Sequence, residues 1–351
     1  MMEGIQSENL GVLSFPGKLY APGLDGKVSC TACSHRCSIP DGGSGICRVR
    51  TNERGLLRVP HGWVNGFAVD PMEKKPFYHV LPGAKTLSFG MLGCNFRCDY
   101  CQNWATSQAL KDPEAGGSVI EISAQALVRL CAAEGAPVIT STYNEPVISA
   151  EWAAAVFTEA RKTGIRTAFV SNGYATRESA EFLRPWLDFW KVDLKSMDPA
   201  RFHRTCGGVL SHVLESISFL VEMGFWVEIV TLIVPGFNDS PAEMSETARF
   251  IASVSRKIPW HVTAFRGEYR MSTGKRTPVE TLLRACESGK EAGLEYVYAG
   301  NIPGHLGRWE NTWCPSCSKK LVERVGFSVL DNALLDGSCP GCGLKIPGVW
   351  L

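Results

Sequence analysis

From Thr86 onward, short apolar runs alternate with longer stretches of helical spacing, and this alternation restricts the chain to a few folds. The spacing predicts strands over residues 86–92, 137–142, 166–171, 188–193, 227–234 and 261–265. Between them it predicts helices over 124–134, 149–162, 177–185, 213–223, 241–257 and 279–292, several with a glycine just past the last turn (Gly135, Gly164, Gly224, Gly293). Strand, crossover helix and strand make a parallel pair with the helix on one outer face. Six such units form an α/β fold, an open, partial parallel β/α barrel; a closed barrel needs more units, and a doubly wound open sheet is the alternative. The near-continuous apolar run at 229–234 suits a strand covered on both faces.

Barrels of this kind carry their sites at the C-terminal ends of the strands. The polar clusters fall there. Tyr143, Asn144 and Glu145 follow the second strand, Ser171 and Asn172 the third, Asp193 and Lys195 the fourth, and Asn238 and Asp239 the fifth. Glu145 can accept from a substrate ammonium and Lys195 can pair with a substrate carboxylate, the two charged ends of an amino acid. Singly, Asn172 and Pro235 read as ordinary turn residues; four such clusters on one rim favour a function.

Fourteen cysteines are many for a chain of this type, and they cluster. Cys94, Cys98 and Cys101 form C-x3-C-x2-C directly after the first strand. Three thiolates on a four-iron cluster would leave one iron open to a substrate; three scattered thiols or three zinc ligands are the alternatives. Cys30, Cys33, Cys37 and Cys47 surround a glycine-rich turn and suit a structural zinc ion first, an auxiliary iron–sulfur cluster second. His35 reads as a surface residue there. Cys314-Pro-Ser-Cys317 and Cys339-Pro-Gly-Cys342, twenty-one residues apart, are paired zinc knuckles. Of the isolated thiols, Cys131 and Cys286 fall on helices and read as core, whereas Cys206 reads as an exposed loop thiol on the active side. His261 and Trp152 read as core residues, and the mixed charges and prolines of 70–79 as an irregular solvated connection.

These motifs together resemble the radical SAM superfamily, including the aromatic Tyr100 before the third cysteine of the loop. Over nearly the whole length the chain is similar to the radical SAM enzymes of the AmmeMemoRadiSam system, and more distantly to pyruvate formate-lyase activating enzymes. The resemblance implies that Cys94, Cys98 and Cys101 hold a 4Fe–4S cluster, whose open iron chelates S-adenosylmethionine (SAM). It puts Tyr100 near the adenine, Tyr143, Asn144 and Glu145 at the methionyl amino group, and Ser171, Asn172, Asp193 and Lys195 near the ribose and carboxylate. The implied chemistry is one-electron cleavage of SAM to a 5′-deoxyadenosyl radical that takes hydrogen from a substrate, a protein or peptide or else a small metabolite. An electron donor such as flavodoxin or ferredoxin is implied as partner. Two departures stand out: Ser171 replaces the aspartate common in the activating enzymes, and Arg266-Gly-Glu-Tyr269 replaces their usual loop after the sixth strand.

The boundaries expected are a Cys-rich extension over 1–85, the partial barrel over 86–303 and a zinc-ribbon-like segment over 304–351. Residues 1–29 read as an irregular arm. Lys plus Arg is 36 against 35 for Asp plus Glu, which argues against nucleic acid and anionic lipid as partners. With no signal peptide and no apolar run of membrane-spanning length, a cytoplasmic protein is expected. A non-catalytic module holding several zinc ions is the rival reading.

Overall fold

The computed structural model describes residues 13–350. Its centre is an eight-stranded sheet in which every strand lies beside its neighbour in sequence. The strands are β1 (Gly66–Pro71), β2 (Lys85–Gly90), β3 (Val138–Ser141), β4 (Arg166–Ser171), β5 (Phe189–Asp193), β6 (Trp226–Ile233), β7 (Trp260–Ala264) and β8 (Val297–Gly300). β1 is antiparallel to β2 and all later pairs are parallel. The crossover helices include α1 (Ala124–Ala133), α2 (Ala150–Lys162), α3 (Arg177–Leu183), α4 (Pro199–Cys206), α5 (Leu210–Glu222), α6 (Pro241–Val254) and α7 (Val279–Glu291).

The expected alternation is present, with corrections. The parallel run has seven strands, not six, because Val297–Gly300 adds a short edge strand. Residues 70–79 are no solvated connection: Asp70 belongs to β1, a 3-10 turn covers Met72–Lys74, and Asp70, Lys75, Phe77 and His79 are buried. The described part of the N-terminal arm holds short strands at Ser14–Pro16, Tyr20–Pro22 and Val28–Cys30; the rest of it, and the segment bearing on a signal peptide, lie outside the described residues. No described helix is long and apolar enough to cross a membrane.

Helix stops follow the sequence signal. Gly164 and Gly293, just past α2 and α7, adopt φ of 74° and 89°, where a side chain would clash with its own backbone. α6 begins on Ser240, whose side chain accepts from Glu243 N, with Pro241 at the first turn. Phe157, Phe169, Trp190 and Phe225 pack as a chain of tilted and edge-on rings 5.3–5.6 Å apart, linking α2 to the central strands.

One face of the sheet, read in steps of two residues, builds two layers. Lys191, Glu228 and His261 form the lower layer, where Glu228 accepts from Tyr78 N, His79 N and Lys191 and faces His261 Nε2 at 2.7 Å. His261 is thus a satisfied core histidine, its pKa pushed by burial down to about 3. Residues two positions on, Asp193, Val230 and Thr263, face a cavity above. The floor is closed by His79, which bonds Pro347 O and Tyr298, and by the bridge of Val80 to Val349.

Candidate active site

The chain leaves β2 through a loop whose path is fixed by partners far away in sequence. Met91 N donates to Asn144 Oδ1 (3.1 Å), Gly93 N to Thr106 O (3.0 Å), Arg97 N to Cys206 O (2.9 Å) and Asp99 N to Thr205 O (3.2 Å). Lys111 Nζ donates to Cys94 O and Phe96 O, and Gln108 Nε2 also reaches Phe96 O. Gly93 has φ of 87°, and a Cβ there would lie 2.8 Å from Cys47 O. Only glycine meets both demands. With its backbone groups paired, the loop holds Cys94, Cys98 and Cys101 in place without help from the thiols.

Those three sulfur-bearing residues line a cavity of about 400 Å³ at the strand ends. Tyr100, Tyr143, Asn144, Glu145, Ser171, Asn172, Asp193 and Lys195 line it too, whereas Asn238 and Asp239 do not: Asn238 Nδ2 donates to Lys195 O and Leu232 O, and Asp239 accepts from Gly236 N. Cys101 Sγ is 3.3 Å from Ser107 Oγ. The parallel register brings the ends together: Ser141 pairs with Phe169 and Ser171 with Val192.

Glu145 is fully buried. Its carboxylate accepts from Val147 N (3.1 Å), Ser171 Oγ (2.8 Å) and Asn172 N (2.7 Å). Burial nevertheless pushes its pKa up to about 7, because these donors offset only part of the desolvation. Lys195 behaves oppositely. Burial pulls its ammonium down, but Asp193 at 3.0 Å, together with the charges of Cys98 and Cys206, outweighs this and holds it above the ordinary lysine range. The cavity thus offers an acceptor for an ammonium and a fixed cation for a carboxylate.

Asp70, Lys74 and Lys75 are site residues that the motif reading left without a role. Lys75 Nζ bonds Asp70 Oδ2 (2.7 Å) and lies 4.6 Å from the centre of the Tyr143 ring, while Tyr143 OH reaches Asp70 at 3.2 Å. Both lysines line the cavity. Their signal was the dense charge of 70–75, which looks like solvent exposure until tertiary structure covers it.

Cys206 needs correction: it ends α4 and is buried, with its Sγ 3.7 Å from Tyr100 OH and beside Cys98, behind the cavity wall. His35 is half-buried, its Nε2 3.0 Å from Asn95 O. Cys131, Cys286 and Trp152 are core residues as expected. Phe96 is buried against Tyr174 and Phe202, and Trp104 stacks on Tyr269 at 5.0 Å, so the replaced loop after β7 covers the cysteine loop.

The four C-terminal thiols converge independently. Cys314 and Cys342 lie 3.6 Å apart, Cys317 and Cys339 3.5 Å, and all four sulfurs are within 4.8 Å of one another. Tetrahedral zinc with bonds of about 2.3 Å spaces its thiolates by about 3.8 Å, close to this arrangement. Cys30, Cys33 and Cys47 are buried and Cys37 is half-buried, and none of the four lines the cavity.

The sequence family described as the radical SAM superfamily matches residues 90–251, from the end of β2 into α6. The uncharacterized protein MJ0808 of Methanocaldococcus jannaschii is 35% identical over 326 residues, which cover 92% of this chain and 96% of that protein. The pyruvate formate-lyase-activating enzyme of Staphylococcus aureus is 23% identical over 238 residues, covering 64% of this chain and 93% of that enzyme. Among solved structures, a radical SAM methyltransferase from Sphaerobacter thermophilus superposes with a TM-score of 0.49 at 13% identity, over 82% of this chain and 78% of that one. The chain belongs to the radical SAM superfamily and is an enzyme of that class. Membership implies SAM and a 4Fe–4S cluster. The residues present fit both: three thiols line one cavity, and Asn144 presents there a buried side-chain amide whose nitrogen has no hydrogen-bond partner among the described residues.

Proposed function

We propose that this enzyme cleaves SAM reductively at a 4Fe–4S cluster held by Cys94, Cys98 and Cys101, and abstracts hydrogen from a protein or peptide. The observation that carries the reading is the convergence of three thiols, Glu145 and Lys195 on one cavity. When bound, the cluster supplies the electron that splits SAM into methionine and a 5′-deoxyadenosyl radical. Glu145 and Asn144 receive the methionyl ammonium, Lys195 and Asp193 orient the carboxylate and ribose with Ser171 and Asn172, and Tyr100 borders the adenine. Buried Phe96 and the stacked Trp104 and Tyr269 limit water at the loop. An electron donor of the flavodoxin or ferredoxin class is the partner this chemistry needs. A cavity near 400 Å³ is at the small end of ligand pockets, roughly 300–1,000 Å³. With SAM seated it admits little beyond a side chain, which favours a macromolecular substrate over a whole metabolite. Residues 86–303 act as the catalytic unit between a Cys-rich extension (1–85) and a zinc-ribbon-like segment (304–351).

The test is anaerobic incubation with SAM and a strong reductant: 5′-deoxyadenosine accumulates, and its absence from iron-loaded protein ends the proposal. A pH series tests Glu145 separately. A carboxyl whose pKa stands near 7 must lose a proton to receive an ammonium. SAM affinity therefore falls as pH drops below 7, approaching tenfold per unit. In Glu145→Gln protein, equilibrium binding is weak and loses this slope.

Cys314, Cys317, Cys339 and Cys342 hold zinc in this proposal. A zinc chelator should then release about one ion per chain and lower the melting temperature, whereas Cys317→Ser/Cys342→Ser protein binds none and is unresponsive to chelator.

A further inference from the structure

The chain carries three cysteine sets, and their spacing divides them. Among the described residues, the C-terminal four are the one group of His, Cys, Asp or Glu side chains whose ligand atoms all lie within 4.8 Å of one another. Among the described residues, neither Cys30, Cys33, Cys37 and Cys47 nor Cys94, Cys98 and Cys101 form a group of that kind. A single tetrahedral ion needs thiolates about 3.8 Å apart. A cluster, with its own sulfides between the irons, spreads its thiolates wider. The N-terminal set thus falls with the set for which the family implies a cluster, and contrasts with the compact knuckles in the same molecule. Its thiols are unbridged, and all but Cys37 are buried.

The two open sets also touch. The Cys47 carbonyl lies against Gly93, next to Cys94, where even a methyl group would come within 2.8 Å. His35, between Cys33 and Cys37, meets Asn95 O at 3.0 Å. Cys33 bridges to Ala175, just beyond Asn172 of the cavity wall. The Lys111 ammonium, bonded to Cys94 O, lies within electrostatic reach of both Cys47 and Cys98. On the far side, Ile46 is exposed and Cys37 half-buried, so the set faces solvent as well as the loop.

We propose that Cys30, Cys33, Cys37 and Cys47 hold a second iron–sulfur cluster, through which electrons enter the site. One electron from a flavodoxin- or ferredoxin-class donor reduces this cluster. The same electron passes to the cluster at Cys94, Cys98 and Cys101, which is reduced as the N-terminal one is reoxidised; no proton or bond is exchanged. The relay rests on the proposed function, whereas the presence of the second cluster does not.

The test compares three anaerobically reconstituted full-length proteins: wild type, Cys30→Ala/Cys37→Ala, and Cys94→Ala/Cys98→Ala/Cys101→Ala. Iron and sulfide are counted, and electron paramagnetic resonance spectra of the reduced proteins are taken with and without SAM. Wild type holds about eight irons and each variant about half as many, if both clusters are cubanes. The N-terminal variant keeps a signal that SAM alters, and the loop variant keeps one that SAM leaves alone. A loop variant with no iron but with zinc in two sites overturns the second cluster, and this arm is independent of whether the N-terminal variant folds. If iron in the loop variant persists but no wild-type signal responds to SAM, the proposed function fails and the second cluster stands. For the relay, the N-terminal variant forms 5′-deoxyadenosine at least tenfold more slowly with flavodoxin while keeping its rate with dithionite. Equal slowing with both donors, or with neither, overturns it.

Discussion

Cys98→Ala protein, reconstituted without oxygen and supplied with SAM and dithionite, releases no 5′-deoxyadenosine above background. The expectation rests on the geometry of the loop. Its backbone is tied to Thr106, Thr205, Cys206 and Asn144, so a missing side chain is not replaced by a shift of the chain. A site left with two loop thiols cannot hold four irons with one corner free for SAM. One neighbour sharpens the experiment. Cys206 lies beside Cys98 and within 3.7 Å of Tyr100 OH, so a second thiol is at hand behind the wall. Cys98→Ala/Cys206→Ala is therefore the companion, and both proteins should be inactive. Turnover in the single variant that disappears in the double would mean that Cys206 substitutes as a ligand. Turnover equal to wild type in both would remove the loop from the mechanism.

Glu151→Ala is expected to destabilise the fold by about 3–5 kcal/mol, the loss typical when one partner of a buried ion pair is removed. Arg50 and Glu151 form a two-pronged pair at 2.7 and 2.8 Å, with side chains only 2% and 5% exposed. Glu151 also accepts from Lys18 N and Leu19 N, and Arg50 donates to Ile148 O. The pair thereby pins the cysteine-bearing N-terminal segment to α2. Burial alone would raise the Glu151 pKa, but the Arg50 charge overrides it and holds the carboxyl at about 2. The sign follows: stability from the pair is complete above the unfolded value near 4.5 and is lost as pH falls towards 2. Thermal melts at pH 7 should drop by on the order of 10 °C for Glu151→Ala. Arg50→Met/Glu151→Leu should cost much less, because it leaves no orphaned charge. A single variant melting with wild type would refute the role given to the pair.

The sequence was most legible where strands are long and covered on both faces. Arg166–Ser171 was expected at its observed bounds, and the run ending at Ile233 within one or two residues. Val297–Gly300 escaped because four residues carry too little pattern, and the segment is a strand only beside β7. α4 escaped for a different reason: Pro199–Cys206 buries just Phe202 and Cys206, so no apolar stripe marks it, and Cys206 looked like a loop thiol. The strand-end residues were found because position relative to a strand is local information. Asp70 and Lys75 were not, since the Tyr143 side chain that meets their pair comes from far along the chain. How closely each cysteine set gathers in space was likewise not legible, because loop length alone does not fix where thiols come together.

Phe327 borders the cavity from the tip of a hairpin formed by Lys320–Val325 and Ser328–Asn332. Its base runs into the two cysteine knuckles, and its tip is fastened by Gly326 N to Glu310 (2.7 Å). An aromatic side chain at the mouth of the cavity therefore stands on a segment that contributes none of the strand ends. Replacing that hairpin would reshape one rim of the cavity without touching the cysteine loop on the other.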